Sequence, residues 1–225
     1  MGLFDLFRNT KGSLPIDSNE PKEGSPIKYK RTSYNSDDLN ETKTALEEVM
    51  IPFIGEAGKK RDEDVIRQCK DSTHPLDKLA MGFAYVHKGA DFRKDAIACI
   101  NEFLDSSTEI PRKKNTYDID GQNAALVSKW HLFSTLSALY EKEYDWDNAI
   151  LCLKKCQQYS KGENLADYTR VGDILVKKDV NLAVEYYESL KNTDIYNKKQ
   201  ALFDGKYKET LEKQRKGYKF KPRNK

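Results

Sequence analysis

The stretch LYEKEYDWDNAILCLKKC, residues 139–156, decides the fold of this chain. Tyr140 closes one apolar helix face, a short charged turn follows, and Trp146, Ala149 and Leu153 then resume apolar residues at a helical spacing. This pattern predicts two antiparallel helices joined by a tight turn. Because a single pair of this kind cannot bury its apolar face alone, a stable protein needs further pairs that stack on it.

A second pair lies 34 residues further along the chain, which is the distance from Ala149 to Ala183. The helix around Ala183 continues with packing residues at Tyr187 and Leu190, and the helix before it keeps the internal spacing of the first pair. The matched residues of that earlier helix are offset by one position from the 34-residue period, because the turn that follows the helix is one residue shorter. The matched residues of the two first helices are Phe133, Leu136, Ser137 and Tyr140 in one pair, and Tyr168, Val171, Gly172 and Leu175 in the other.

Weaker versions of the pattern occur before and after these two pairs. Gly82 and Ala96 mark an earlier pair with a longer turn. In the later segment we expect Gly205 and Tyr207 in a turn and Thr210 at the position of the buried alanine. The helical spacing predicts helices over residues 74–88, 92–105, 121–142, 146–160, 164–178, 180–191, 194–204 and 206–215.

A bulky residue, a leucine, a small residue and an aromatic on one helix, followed by an alanine on the next at a period of 34, resembles the tetratricopeptide repeat (TPR) family. The resemblance implies an all-α, TPR-like right-handed superhelix of antiparallel helix pairs. Leu153 replaces the usual aromatic and the prolines that often close a unit are missing, so an irregular helical bundle is the alternative. The implied units span residues 74–106, 130–163, 164–193 and 194–216, within a helical domain at 39–216.

The segment before this domain has a different character. Residues 1–38 are expected to form a short amphipathic start and a disordered linker, because most of them are proline, serine, asparagine or charged residues without an apolar period. A helix is expected from Leu39 to about Phe53. Ser72 and Thr73 are the expected caps of the helix that follows residue 74.

The bulk composition excludes several classes of protein. Charged residues make up 33% of the chain, a polar balance that suits a thin helical array with much surface. No apolar run is long enough to span a membrane. No catalytic or nucleotide-binding motif is recognisable, so we expect neither an enzyme nor a bound cofactor. Cys152 and Cys156 supply only half of a zinc ligand set, and buried free thiols in a reducing bacterial cytoplasm are the expectation.

TPR-like arrays bind extended peptides or helices on the concave surface that the first helices line, so the resemblance implies a non-catalytic, protein-binding adaptor or scaffold. Arg170 and Lys177 lie on one side of one helix and could hold a carboxylate; alternatively they pair with Asp173 and only solvate the surface. The residues mapped to this partner-binding groove are Phe83, His87, His131, Ser134, Thr135, Glu141, Thr169, Arg170, Asp173 and Lys177.

Two basic segments support a function of a different class, an electrostatic binder of nucleic acid or of an anionic membrane surface. They are the cluster at residues 112–114 and the tail at residues 217–225. The net charge of +3 does not by itself demand a polyanionic partner. Leu3, Phe4 and Phe7 in the amphipathic start are candidates for a weak membrane contact, with docking on the protein or fraying as the alternatives.

Overall fold

The computed structural model describes residues 24–30, 42–51, 53–114 and 123–222. The chain divides into two compact units, Met1–Ser128 and Lys129–Lys225. Regular structure in the described ranges is helical apart from four strands of two or three residues, so the predicted all-α class is confirmed. No helix within these ranges has the length and apolar character needed to cross a membrane.

In its described residues the first unit combines four α-helices and a short 3-10 helix (Ala90–Phe92) with two small antiparallel sheets. Its helices are α1 (Ala45–Val49), α2 (Glu56–Cys69), α3 (Pro75–Lys88) and α4 (Arg93–Asp105). Its strands are β1 (Lys28–Tyr29) paired with β2 (Lys43–Thr44), and β3 (Arg112–Lys114) paired with β4 (Asn123–Ala125). Helix α3 packs against both α2 and α4. The strands were not predicted, because two or three residues are too few to show an alternating pattern.

A buried carboxylate fastens the segment before β1 to helix α3. The Ile27 N–H donates to both carboxylate oxygens of Asp77, at 3.0 and 3.1 Å, and Ser72 Oγ donates to Asp77 Oδ2 at 2.6 Å. Asp77 is 1% exposed and Tyr29 in β1 is 2% exposed. Within residues 24–30, Ile27 and Tyr29 are therefore held by the first unit, whereas residues 24, 25, 28 and 30 are exposed. Composition assigned this segment to a linker because it does not register one buried aromatic and one backbone donor.

Two helix starts differ from the sequence expectation. Helix α1 begins after Thr44, whose hydroxyl accepts the Glu47 N–H while the Glu47 carboxylate accepts the Thr44 N–H, a complete capping box. Helix α3 is capped by His74, whose Nδ1 accepts the Leu76 N–H at 3.1 Å. Ser72 does not cap the helix, because its Oγ accepts the His74 N–H at 3.2 Å, before the helix begins, while its hydroxyl donates to Asp77.

The crossing of α3 and α4 depends on Gly82. A Cβ atom at Gly82 would lie 2.8 Å from Ile100 Cγ1, which is closer than two carbon atoms approach without displacement. Ala96 on α4 is fully buried. The small residues that the sequence comparison matched therefore stand at a helix crossing, as the TPR resemblance implies.

The second unit consists of six helices. They are α5 (Lys129–Lys142), α6 (Trp146–Tyr159), α7 (Leu165–Lys178), α8 (Val180–Leu190), α9 (Asp194–Lys198) and α10 (Gln200–Arg215). Helix α5 packs on α6, α6 on α7, α7 on α8, and α8 on α10. The predicted stacking of consecutive helical pairs is thus confirmed in the second unit.

Helices α7 and α8 approach each other closely at Gly172. A Cβ atom at Gly172 would lie 2.1 Å from the hydroxyl oxygen of Tyr187. Ala149 on α6 and Ala183 on α8 are both fully buried. The two alanines that are 34 residues apart therefore occupy equivalent packed positions, which is why their period was readable in the sequence.

The last helices differ from the prediction. The break falls at Lys199, and α10 runs without interruption through Gly205 and Tyr207, so neither residue lies in a turn. Thr210 is on the same helix and is 3% exposed. A glycine inside a helix costs about 1 kcal/mol. Burial of Phe203 and its neighbours on one continuous face contributes more than this cost, so the helix continues through Gly205.

The chain after α10 folds back onto the turn between α5 and α6. The Phe220 ring lies 5.5 Å from the Trp146 ring and 6.0 Å from the Tyr144 ring, measured between centroids. Within the described part of the basic tail the Phe220 ring is therefore half-buried, whereas residues 217–219, 221 and 222 are exposed. Residues 223–225 and the amphipathic start with Leu3, Phe4 and Phe7 lie outside the described residues.

Candidate binding surface

Side chains of α5 and α7 join the first helices of the two pairs in the second unit. Arg170 Nη1 on α7 donates to Ser134 Oγ on α5 at 3.1 Å. Lys177 Nζ pairs with Glu141 Oε1 about two helical turns further along the same helices. Both pairs join residues that are 36 apart in the chain. We call the polar strip that they form the first-helix surface; its residues are His131, Ser134, Thr135, Glu141, Thr169, Arg170, Asp173 and Lys177.

The charges of this surface pair across helices rather than within one helix. The sequence left open that Arg170 and Lys177 pair with Asp173. Asp173 instead accepts from Lys206 Nζ on α10 at 2.9 Å, and Lys177 pairs with Glu141. Both pairs join residues of different helices, so the stacking of the helices provides the partners. Lys177 and Asp173 are thus already neutralised by residues of the protein.

Arg170 is the exception among the charged residues of the first-helix surface. Its half-buried guanidinium donates to the neutral Ser134 hydroxyl, and within the described part of the chain it forms no ion pair with a carboxylate. A guanidinium carries five N–H donors in a planar fork, so most of its donors remain for a ligand. The arrangement can hold an anionic group such as a carboxylate by two parallel hydrogen bonds.

A buried carboxylate lies behind Arg170. Asp167 Oδ2 accepts from Trp130 Nε1 at 2.9 Å and from Ser160 Oγ at 3.2 Å, while its Oδ1 is buried without a hydrogen-bond partner. Burial raises the pKa of the Asp167 carboxyl above its ordinary value, and the Trp130, Ser160 and Arg170 groups only partly oppose this rise.

The remaining α5 and α7 residues are less available. Burial lowers the pKa of the His131 imidazole, which disfavours its protonated form. Ser134 is 3% exposed and touches a ligand only if Arg170 moves. Thr169 Oγ1 donates to backbone carbonyls of its own helix, at 3.3 and 3.4 Å. Thr135 is half-buried.

Two residues mapped to the groove lie on α3 in the first unit. Phe83 is 2% exposed and belongs to the core of that unit, so its side chain does not line an open surface. The sequence mapping placed it outward because apolar residues surround much of α3. His87 Nδ1 lies 3.1 Å from Arg61 Nη2 and 3.3 Å from Asp62 Oδ1, at the edge of a buried ion pair. It is a structural neighbour of that pair.

Sequence reasoning missed two features of the second unit. Asp167 resembled an ordinary first-turn acid, and its burial follows only from Trp130 and Ser160, which lie 37 and 7 residues away. Tyr144 follows α5 with a φ of 62°, a left-handed conformation that glycine normally occupies. The sequence did contain a signal for Tyr144, because this tyrosine occupies the position after a helix where glycine is favoured.

The comparisons with known proteins add little to this picture. No family model matches the chain. No curated protein matches it either. A solved structure described as the crystal structure of YrrB, a TPR protein with an unusual peptide-binding site, aligns with a TM-score of 0.40 and 16% identity over 70% of this chain and 75% of that chain. The stacking of helical pairs in the second unit follows from the packing of helices α5 to α10 and does not depend on this alignment.

Proposed function

We propose that this protein is a non-catalytic adaptor that binds a protein or peptide partner on the first-helix surface of its second unit. The observation that carries the proposal is Arg170, a half-buried cation without a carboxylate partner in the described ranges. Lys177 and Lys206 each pair with a carboxylate, Lys177 with Glu141 and Lys206 with Asp173. Arg170 therefore selects a partner segment with an acidic side chain or a free carboxyl terminus, through charge-assisted hydrogen bonds.

The energetics favour such a site. Hydrogen bonds to a charged group contribute about 1.5–3 kcal/mol, and more than half of a guanidinium's donors are unused here. Because Ser134 already orients Arg170, little side-chain entropy is lost when a ligand binds. The pairs Glu141–Lys177 and Asp173–Lys206 hold the neighbouring helices in place and set the width of the strip.

A selection of displayed random peptides with free carboxyl termini tests the proposal. Peptides selected on the full chain are measured by fluorescence anisotropy against wild type, Arg170→Ala and Arg170→Lys. We expect Arg170→Ala to weaken binding at least about tenfold, which is the lower end of the contribution above. Arg170→Lys is expected to fall between, because it keeps the charge but loses the fork.

Lys161→Ala is the matched control, because Lys161 is an exposed cation in the loop after α6. It should leave the affinity unchanged. Equal binding of the selected peptides to wild type and Arg170→Ala would reject the first-helix surface as the binding site.

A second candidate function is the electrostatic binding of nucleic acid or of an anionic membrane. Its support is the charge distribution: residues 129–225 hold 20 Lys and Arg against 14 Asp and Glu, a net of +6, while residues 1–128 carry a net of −3. Arg215, Lys219 and Lys221 are exposed near the end of the chain. The cluster at residues 112–114 belongs to the negatively charged unit and contributes less.

Salt separates the two functions. Binding of a labelled single-stranded oligonucleotide that falls by tenfold or more between about 50 and 200 mM salt would support the second function. That binding should be lost when Arg215, Lys219 and Lys221 are replaced by glutamine and should be unaffected by Arg170→Ala. The reverse pattern supports the first-helix surface.

A further inference from the structure

Tyr144 has a backbone conformation that is unfavourable for a tyrosine. After α5, the Asp145 N–H donates to the Tyr140 carbonyl at 2.9 Å and the Tyr144 N–H to the Glu141 carbonyl at 3.2 Å. These bonds define a Schellman helix end, in which Tyr144 occupies the left-handed position that glycine normally takes. A side chain in this conformation costs about 1–2 kcal/mol relative to glycine. In this position the Tyr144 ring makes aromatic contacts that glycine would not supply.

The ring forms one wall of an aromatic slot. Tyr144 and Trp146 lie 5.6 Å apart in an edge arrangement, and Phe220 contacts both rings. The contact of Phe220 with Trp146 is T-shaped, with an interplanar angle of 89°. Edge arrangements at these distances are the favourable geometry for aromatic pairs. We call the aromatic surface that Tyr144 and Trp146 together present to Phe220 the aromatic slot.

Charge complementarity surrounds the slot. Three carboxylates, Glu143, Asp145 and Asp147, alternate with the two slot residues along the turn. Asp147 pairs with Lys178, and Asp145 caps α6 through the Asn148 N–H at 3.2 Å. The segment that fills the slot has the opposite pattern, because Phe220 stands between Lys219 and Lys221. The rings of the two segments touch. The opposite charges on the residues next to those rings therefore lie within a Debye length of one another.

We propose that the aromatic slot is a peptide-binding site for a segment with an aromatic residue flanked by lysines, and that the chain's own segment at residues 218–221 occupies it in cis. The tail thus acts as a latch that a partner segment of the same chemistry displaces. The slot lies at the turn after α5 and is separate from the first-helix surface. A tethered segment has an effective concentration of about 1 mM, so it masks a weak site from free peptide.

The probe is a labelled peptide of residues 216–222, KGYKFKP, measured by fluorescence anisotropy against full-length proteins. Phe220→Ala empties the slot, and we expect it to bind the peptide at least about tenfold more tightly than wild type, as expected when a tethered competitor is removed. A control peptide with alanine in place of phenylalanine should not bind. Equal affinity of wild type and Phe220→Ala would overturn the proposal, as would equal binding of the control peptide.

Tyr144→Gly separates binding from stability, because it removes one wall of the slot and relieves the backbone. In the Phe220→Ala background it should weaken peptide binding at least tenfold without lowering the thermal midpoint. Retained binding in this double variant would overturn the slot. A wild-type dimer that Phe220→Ala dissociates would also overturn the latch, because the tail would then occupy the slot of a second copy.

Discussion

Asp77 in the first unit and Asp167 in the second are buried to the same degree, each being 1% exposed, but their surroundings differ. Both oxygens of Asp77 accept hydrogen bonds, from the Ile27 N–H and from Ser72. Asp167 uses one oxygen for Trp130 and Ser160 and leaves the other without a partner. The comparison shows that the number of donors, more than the depth of burial, decides whether a buried carboxylate holds a structure together.

The helix crossings of the two units provide a second contrast. Gly82 on α3 and Gly172 on α7 occupy equivalent positions, but an added Cβ atom would lie 2.8 Å from Ile100 in one case and 2.1 Å from Tyr187 in the other. The second unit is therefore the more tightly packed at its crossing. The four predictions below test these contrasts, beginning with the largest expected effect.

Ala149→Trp and Ala183→Trp should each destabilise the second unit by about 3 kcal/mol or more, because both positions are fully buried at helix contacts. Ala96→Trp should do the same in the first unit. Urea denaturation monitored by circular dichroism measures the change, with the exposed Lys155→Trp on α6 as control. Near-neutral results at both Ala149 and Ala183 would rule out the repeat architecture.

Gly172→Ala should cost about 2–3 kcal/mol and Gly82→Ala about 1–2 kcal/mol, in the order of the two clashes. The Ile100 side chain can shift more readily than the buried Tyr187 ring, which would contact the new Cβ atom through three of its atoms. A double-mutant cycle of Gly172→Ala with Tyr187→Leu should show a coupling energy of at least about 1 kcal/mol. An additive cycle would mean that Tyr187 does not cause the cost.

Asp77→Asn should destabilise by about 1–3 kcal/mol, whereas Asp167→Asn should be within about 0.5 kcal/mol of wild type or slightly stabilising at pH 7. The amide of asparagine cannot accept from all the donors around Asp77. At Asp167 its oxygen can keep Trp130 and Ser160 while its NH₂ replaces an unbonded oxygen. Chemical denaturation of both variants gives the comparison.

Hydrogen exchange sharpens this comparison locally. The Ile27 amide should exchange faster in Asp77→Asn, because its acceptor is weakened. It should be unchanged in Asp167→Asn. Equal costs for the two substitutions would refute the distinction between the two carboxylates.

The smallest effect is a pH dependence. Burial raises the pKa of Asp167 in the folded protein above its ordinary value of 3.8, so the folded state binds this proton more tightly than the unfolded state. The stability that this proton contributes is fully present below the unfolded pKa and is lost as the pH rises through the folded pKa. The free energy of unfolding of wild type relative to Asp167→Asn should therefore fall from about pH 3 to pH 7. A rise over the same range would contradict the raised pKa.

Much of the fold could be predicted from the sequence because its determinants are local and periodic. Small residues at helix crossings recur at one spacing, so Ala149 and Ala183 identified each other. The end of the array could not be predicted in this way. A glycine and a tyrosine at residues 205 and 207 resembled a turn, but the burial of Phe203 and Thr210 on a single face favours one helix.

The candidate site was predicted in its residue types and not in its pairing. Arg170 and Lys177 were identified from their spacing on one helix face. Which of them is neutralised depends on Glu141, which lies 36 residues before Lys177 and reaches it only through stacking. Phe83 was assigned to the groove because a helix with apolar residues on most sides does not reveal which side faces the core.

The sequence by itself determined the helical class, the repeated pairs and the residues at their crossings, because each depends on spacing along one or two adjacent helices. Only the tertiary structure decided which charges remain unpaired, which carboxylate lacks donors and where the tail lies. Those outcomes depend on contacts between residues tens of positions apart, such as Tyr144 with Phe220. Such contacts arise from packing, and no local pattern encodes them.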